Sequence, residues 1–287
     1  MPRGRRPGLP TCIVVGAMKC GTTALHRQLD LHPEIAMARV KELNFFFGPG
    51  TAPHERADEW WRTGQWHRGL GWYAAQHDGC ARVRGESSPG YTDPAHDEVP
   101  ARMHFVVPDV RLVYLVRDPV ARAVSQWRHH TRDGTEQRAL EDAVLDPASQ
   151  YLARSRYAER VAPFLEHFPQ AQLLVVVQER LLADPRTELA RVYDHVGADP
   201  TYWTDALAER VHVGDGPEQM APPPLARAVW DAVAGDVTQV RRLVGDPLPE
   251  WPDPRDSPDE VITEQDSGRG AAARRSVSRA APARRRR

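Results

Sequence analysis

Residues 11–25 read TCIVVGAMKCGTTAL, and this stretch decides the fold. Cys12–Val15 is a short apolar, β-branched run of the kind that makes a buried strand. Gly16 follows, then Lys19, Gly21, Thr22 and Thr23, and beyond them Leu25 and Leu29 share one face of a helix predicted over about 22–31. Strand, glycine-bearing loop and helix start together make an anion site. The N–H groups of the turn and the first helical turn lack intrahelical partners, and the helix dipole adds partial positive charge. Glycine permits positive φ and close approach of the backbone to a phosphate. Lys19 adds a full charge, and the two threonine hydroxyls add donors.

Gly16 and Gly21 fit the glycines of the nucleoside-triphosphate loop G-x-x-x-x-G-K-[ST], but the residue after Gly21 is Thr22. The lysine has moved two residues before the second glycine. An ordinary β–α turn with a surface lysine would also fit this stretch taken alone. The second constellation is Arg117–His130, RDPVARAVSQWRHH, which follows the predicted strand Arg111–Val116. Arg117 leaves a strand end, where open α/β sheets bind ligands. Ser125 lies eight residues on, in the following helix, so a folded-back turn brings both to one anion.

Taken together, these two stretches resemble the sulfotransferases that use 3′-phosphoadenosine 5′-phosphosulfate (PAPS). Their 5′-phosphosulfate loop has the form G-x-x-K-x-G-T-[ST]-x-L, and their 3′-phosphate site has the form R-[ND]-P-x-x-x-x-x-S. The resemblance implies that Gly16, Lys19, Cys20, Gly21, Thr22 and Thr23 hold one end of the nucleotide and Arg117 and Ser125 the other. A third stretch, Lys41-Glu42-x-x-Phe45-Phe46, looks like the branch containing heparan-type carbohydrate and many bacterial enzymes. In that branch a glutamate soon after the first helix is the base, and Glu42 matches it. Glu86 and the turn Ser87–Tyr91, SSPGY, resemble the branch's E-[KS]-[ST]-P-x-Y segment, with Ser87 where some members carry lysine. Gly71-Trp72-Tyr73 and Leu248–Trp251, LPEW, look like bacterial members as well. The likeness spans roughly residues 10–252.

The chemistry explains the residue types. Sulfuryl transfer moves a charged group in line between two oxygens, so the catalyst mainly positions and neutralises. A sulfuryl group carries less charge than a phosphoryl group, so no metal is expected. Lys19 then stabilises the bridging oxygen of the leaving phosphate, and Glu42 takes the acceptor's proton, with Glu86 and His129 next in line. Partial burial against Phe45 and Phe46 would strengthen Glu42 as a base; a salt bridge to Lys41 is its plain alternative reading.

Composition agrees. The 287 residues carry a formal charge of −1, which argues against a nucleic-acid binder. Of 38 basic residues only Lys19 and Lys41 are lysines, both near the loop, where a compact ammonium does what a planar guanidinium does not. Three cysteines suggest no disulfide framework and a cytoplasmic setting. No stretch reads as a signal peptide or a membrane span. Residues 1–10 read as a disordered basic arm and 253–287 as a disordered Arg-rich tail around a domain at 11–252.

The expected fold is one α/β domain with a central, mainly parallel sheet flanked by helices; the resemblance implies about five strands. The expected reaction carries a sulfuryl group from PAPS to a hydroxyl, or an amine, of a sugar, lipid or secondary metabolite, releasing adenosine 3′,5′-bisphosphate (PAP). The acceptor pocket is expected from loops such as Ala57–His77 and Gly214–Pro224. A P-loop small-molecule kinase and a non-catalytic binder of a bisphosphorylated nucleotide are the alternatives. Oligomeric state is not legible.

Overall fold

Five short strands organise the chain in a computed structural model that describes residues 8–50, 63–209 and 220–256. They are β1 (Cys12–Gly16), β2 (Ile35–Met37), β3 (Val83–Ser87), β4 (Arg111–Val116) and β5 (Leu173–Val177), in the order β2-β3-β1-β4-β5 and all parallel. β1, β2, β4 and β5 are built on apolar stretches of the sequence, whereas β3, VRGES, is not. The helices among the described residues begin with α1 (Thr22–Asp30), α2 (Gly69–Ala74), α3 (Val99–Val106), α4 (Pro119–Arg132) and α5 (Leu140–Val144). They continue with α6 (Gln150–Ala153), α7 (Tyr157–His167), α8 (Gln178–Ala183), α9 (Pro185–Val196) and α10 (Pro223–Val244). The sequence reading did not anticipate α3, α5, α6 or α8. The described residues through Pro254 form one compact unit.

Local chemistry fixes the helix ends. Asp118 caps α4 by accepting from Ala121 N at 2.7 Å, with Pro119 in the first turn. Asp184 caps α9 in the same way through Thr187 N at 3.1 Å, and Gly197 ends it in the left-handed conformation. The N-terminus of α7 is capped from another element. Asp236 of α10 accepts from Ala158 N (3.1 Å) and Glu159 N (2.9 Å). Every residue of β1 is buried, and Leu25 and Leu29 seat α1 on the sheet. Burying each such leucine stabilises by roughly 1.5–3 kcal/mol.

Topology sets the site. After β1 the chain runs to the β2–β3 side of the sheet, then crosses back to β4 on the other side of β1. The connections leaving β1 and β4 therefore diverge, and a crevice opens beyond their C-terminal ends. Leu9 is already part of the core, its carbonyl accepting from Arg84 Nε at 2.8 Å. His32, which ends α1, is a structural residue that reaches the Asp199 carbonyl at 3.0 Å. The proposed arm before residue 8, Trp60, Trp61, most of the 214–224 loop and the Arg-rich tail beyond 256 lie outside the described residues.

Candidate active site

The loop between β1 and α1 is anchored at its base and open at its tip. Ala17 N donates to Leu115 O of β4 at 2.8 Å, and Cys20 N returns to Ala17 O at 3.2 Å. Lys19 (φ 68°) and Gly21 (φ 90°) both adopt the left-handed conformation, which turns successive N–H groups toward one side. No side chain caps α1, and the N–H groups of Gly21, Thr22, Thr23 and Ala24 have no hydrogen-bond partner among the described residues. Gly16 is required by packing and Gly21 by its positive φ. A Cβ on Gly16 would lie 2.4 Å from Thr92 Oγ1 and 2.7 Å from Tyr114 Cε2, and one on Gly21 would meet Gln178 Nε2 at 3.0 Å.

Positive charge converges on this tip. Burial lowers the Lys19 pKa first, and Arg132, Arg117 and Arg122 lower it further. Lys19 Nζ makes no hydrogen bond or ion pair among the described residues. An anion would relieve this crowding. The loop and the end of β4, about a hundred residues apart in sequence, thus meet across the crevice. Ser125, half-buried on α4, lies one helical turn before His129 on the same face.

Tyr157 joins the two halves. Its hydroxyl, wholly buried, donates to the Arg117 carbonyl at 2.7 Å and lies 3.5 Å from Cys20 Sγ. Burial pushes the Cys20 thiol up to about 11, so it stays neutral. Glu179 holds the adjacent turn, accepting from Asp118 N at 2.8 Å through one oxygen and from Trp251 Nε1 at 3.2 Å through the other. Tyr157 and Glu179 were missed in the sequence, because nothing local marks a residue whose partner is forty or more positions away. Trp251 had a signal, the LPEW motif, but no stated partner.

Glu42 follows Lys41 on the segment after β2. Its side chain is one-third exposed and pairs with Lys41 Nζ at 3.1 Å. Its charge is felt at both Glu86 and His129, and His129 also feels Lys19. Phe45 and Phe46 are fully buried and pack against Tyr73 and Tyr91, not as an open wall. The carboxylate served by those tyrosines is Glu86. It is completely buried and accepts from Tyr73 OH (2.5 Å), Tyr91 OH (2.8 Å) and Ser88 Oγ (2.8 Å). Burial pushes its pKa up to about 7, against the opposing effect of those hydrogen bonds. Ser87 contacts His26 Nδ1 at 3.0 Å, and burial followed by the charge of Lys41 pushes that histidine down to about 4.

The family model described as "Sulfotransferase family" matches residues 10–205. The chain belongs to the sulfotransferase family. The Lys19 loop, the Arg117–His130 stretch and the Glu42 and Glu86 segments of this sulfotransferase lie inside that match. Among curated proteins it is 30% identical over 199 residues to mouse heparan sulfate glucosamine 3-O-sulfotransferase 3B1, covering 66% of this chain and 46% of the relative. It is 32% identical over 211 residues to human heparan sulfate glucosamine 3-O-sulfotransferase 6, covering 69% of this chain and 56% of the relative. The chain spans about half the length of the curated relatives it matches. A sulfotransferase crystal structure from Alicyclobacillus acidocaldarius superposes with a TM-score of 0.69 at 26% identity, covering 84% of this chain and 98% of that one. The sulfotransferase domain of the Synechococcus PCC 7002 olefin synthase shares the fold, with a TM-score of 0.53 at 18% identity over 86% of this chain and 98% of that one. No helix among the described residues is long and apolar enough to cross a membrane.

Proposed function

We propose that this sulfotransferase moves a sulfuryl group from PAPS to a hydroxyl group, releasing PAP. The observation that carries the reading is the convergence of an uncapped helix start, Lys19 and the Arg117 strand end on one crevice at the switch point of the sheet. The loop N–H groups and the hydroxyls of Thr22 and Thr23 suit the 5′-phosphosulfate, and Arg117 with Ser125 suits the 3′-phosphate. The acceptor oxygen attacks sulfur while the bond from sulfur to the bridging oxygen breaks. Lys19 neutralises charge growing on that oxygen, and the acceptor's proton passes to Glu42.

The glutamate at position 42 is favoured over its two rivals by access. Glu86 is sealed from solvent with both oxygens engaged. His129 is half-buried, beside the lysine that serves the leaving group. The names of the curated relatives point to a saccharide hydroxyl as acceptor. The cysteines at 12, 20 and 80 are unpaired, which suits the cytoplasm.

Thermal shift separates this reading from a kinase. PAP should raise the melting midpoint well above the effect of ADP with magnesium, because the loop lacks a lysine after Gly21 and Arg117 supplies a second anion site. Equal or greater stabilisation by magnesium ADP overturns the reading. The acceptor is then sought with isotopically labelled PAPS, heparan sulfate oligosaccharides and a panel of small hydroxyl compounds, by mass spectrometry for the gain of one SO₃. Binding of PAPS without transfer to any of them would favour the binding protein.

A further inference from the structure

Glu86 is an ionisable group placed where no substrate reaches it, yet it is tied to the segment that carries Glu42. A carboxylate can only accept hydrogen bonds, so it orients every hydroxyl around it. Tyr91 and Ser88 both point their protons at Glu86, at 2.8 Å each. Their lone pairs are thereby turned outward to backbone donors. Tyr91 OH accepts from Phe45 N at 2.9 Å, and Ser88 Oγ accepts from Asn44 N at 3.0 Å. Asn44 is the bend of the segment, with φ 49°, and its carbonyl accepts from Gln65 N at 3.0 Å. Glu42 lies two residues upstream of that bend.

Tyr73 provides an internal contrast. It donates to Glu86 at 2.5 Å, a contact at least as short, but its hydroxyl accepts no backbone N–H of the segment among the described residues. Its ring stacks on Phe45 at 4.1 Å, and a phenylalanine would keep that stacking. One carboxylate therefore has two kinds of neighbour. Two hydroxyls lead onward to the segment, and one does not.

We infer that Glu86 is a positioning residue: through the Tyr91 and Ser88 hydroxyls it fixes the backbone at residues 44 and 45 and so aims Glu42 into the crevice. The inference rests on the reading of Glu42 as the base. Its physical content is that a small misplacement of a catalytic group costs far more in turnover than in binding.

Tyr91→Phe, Ser88→Ala and Tyr73→Phe test it at pH 8, and they avoid the risk that a Glu86 variant does not fold. Hydrogen exchange needs no acceptor. In the first two variants the Asn44 and Phe45 amides should exchange about tenfold faster or more, and in Tyr73→Phe they should keep the wild-type rate. With the acceptor found by the screen, kcat should fall about tenfold in the first two while PAPS affinity stays within about twofold. Added to Glu42→Gln, Tyr91→Phe should cost almost nothing more, since there is no base left to aim. Equal exchange in all three variants, or a full tenfold loss on top of Glu42→Gln, overturns the inference. Wild-type turnover by Glu42→Gln alone would instead overturn the base, while the exchange rates would still report whether Glu86 holds the segment.

Discussion

Tyr157→Phe removes a single oxygen and leaves the ring in place. That oxygen donates to the Arg117 carbonyl at 2.7 Å and touches Cys20 Sγ at 3.5 Å, inside a region closed to water. Removing the buried donor of this hydrogen bond costs about 1–3 kcal/mol. At roughly 2–4 °C per kcal/mol for a domain of this size, the melting midpoint should drop by about 2–12 °C. The functional effect should be selective. On the proposed reading Arg117 belongs to one anion site and Cys20 to the other, and the lost oxygen, which touches both residues, helps hold the two at a fixed separation. A nucleotide with phosphates at both ends depends on that separation; one with a single phosphate does not. Titration calorimetry should therefore show PAP binding weakened by about tenfold and AMP binding by less than about threefold. If both ligands weaken equally, or PAP binding is untouched while the midpoint falls, the hydroxyl is only a packing element and the reasoning fails.

Lys19→Arg should lower kcat by roughly 10²-fold with a smaller loss of PAPS affinity, because a planar guanidinium replaces a compact ammonium in a closed turn; unchanged kcat would remove Lys19 from the chemistry. Glu42→Gln should cost a similar factor in kcat and leave PAP affinity within about twofold by calorimetry. Gly16→Ala should fail to give a stable, PAP-binding protein, since its Cβ would lie 2.4 Å from Thr92 Oγ1 and 2.7 Å from a ring carbon of the buried Tyr114; a wild-type melting curve would contradict the packing described. Glu86 predicts the pH dependence of stability. Its pKa rises from the ordinary 4.5 to about 7 on folding, so between those values the native state keeps a proton that the unfolded chain has released. This contribution is complete below pH 4.5, falls as pH rises and is gone above 7, a span of about 3 kcal/mol. Urea titrations at pH 5 and pH 8 should show the wild type losing more stability than Glu86→Gln over that interval, and equal losses would place the titration elsewhere.

The elements that could be read in advance are those where one local signal acts alone. LVYLV after Arg111 and LLVVV are continuous apolar runs, and β4 and β5 are built on them. Pro185 opens α9 and Gly197 closes it, so its ends were marked by backbone restriction. The unforeseen helices α5, α6 and α8 have six residues or fewer, too short for a 3.6-residue period to show. In the candidate site, the loop after β1 and the strand-end Arg117 could be singled out in advance because each lies in a contiguous motif. The surroundings of Glu86 could not. Its partners at 73, 88 and 91 and the amides at 44 and 45 meet only after β3 is paired and the aromatic segment has folded over it, and a glutamate at a strand end gives no sign of being buried.

Trp251 has a consequence for the order in which the protein becomes competent. The anion loop lies at the very start of the domain, and a ribosome delivers it first. The Asp118 turn beside it is held by Glu179, whose second oxygen is engaged by the Trp251 indole N–H at 3.2 Å. Until that indole docks, the carboxylate that fixes the turn lacks one of its two partners. On the proposed reading, a nascent domain thus exposes its loop of unpaired N–H groups long before it can grip a bisphosphorylated nucleotide. Competence for that ligand would arrive only when Trp251, near the end of the domain, has docked.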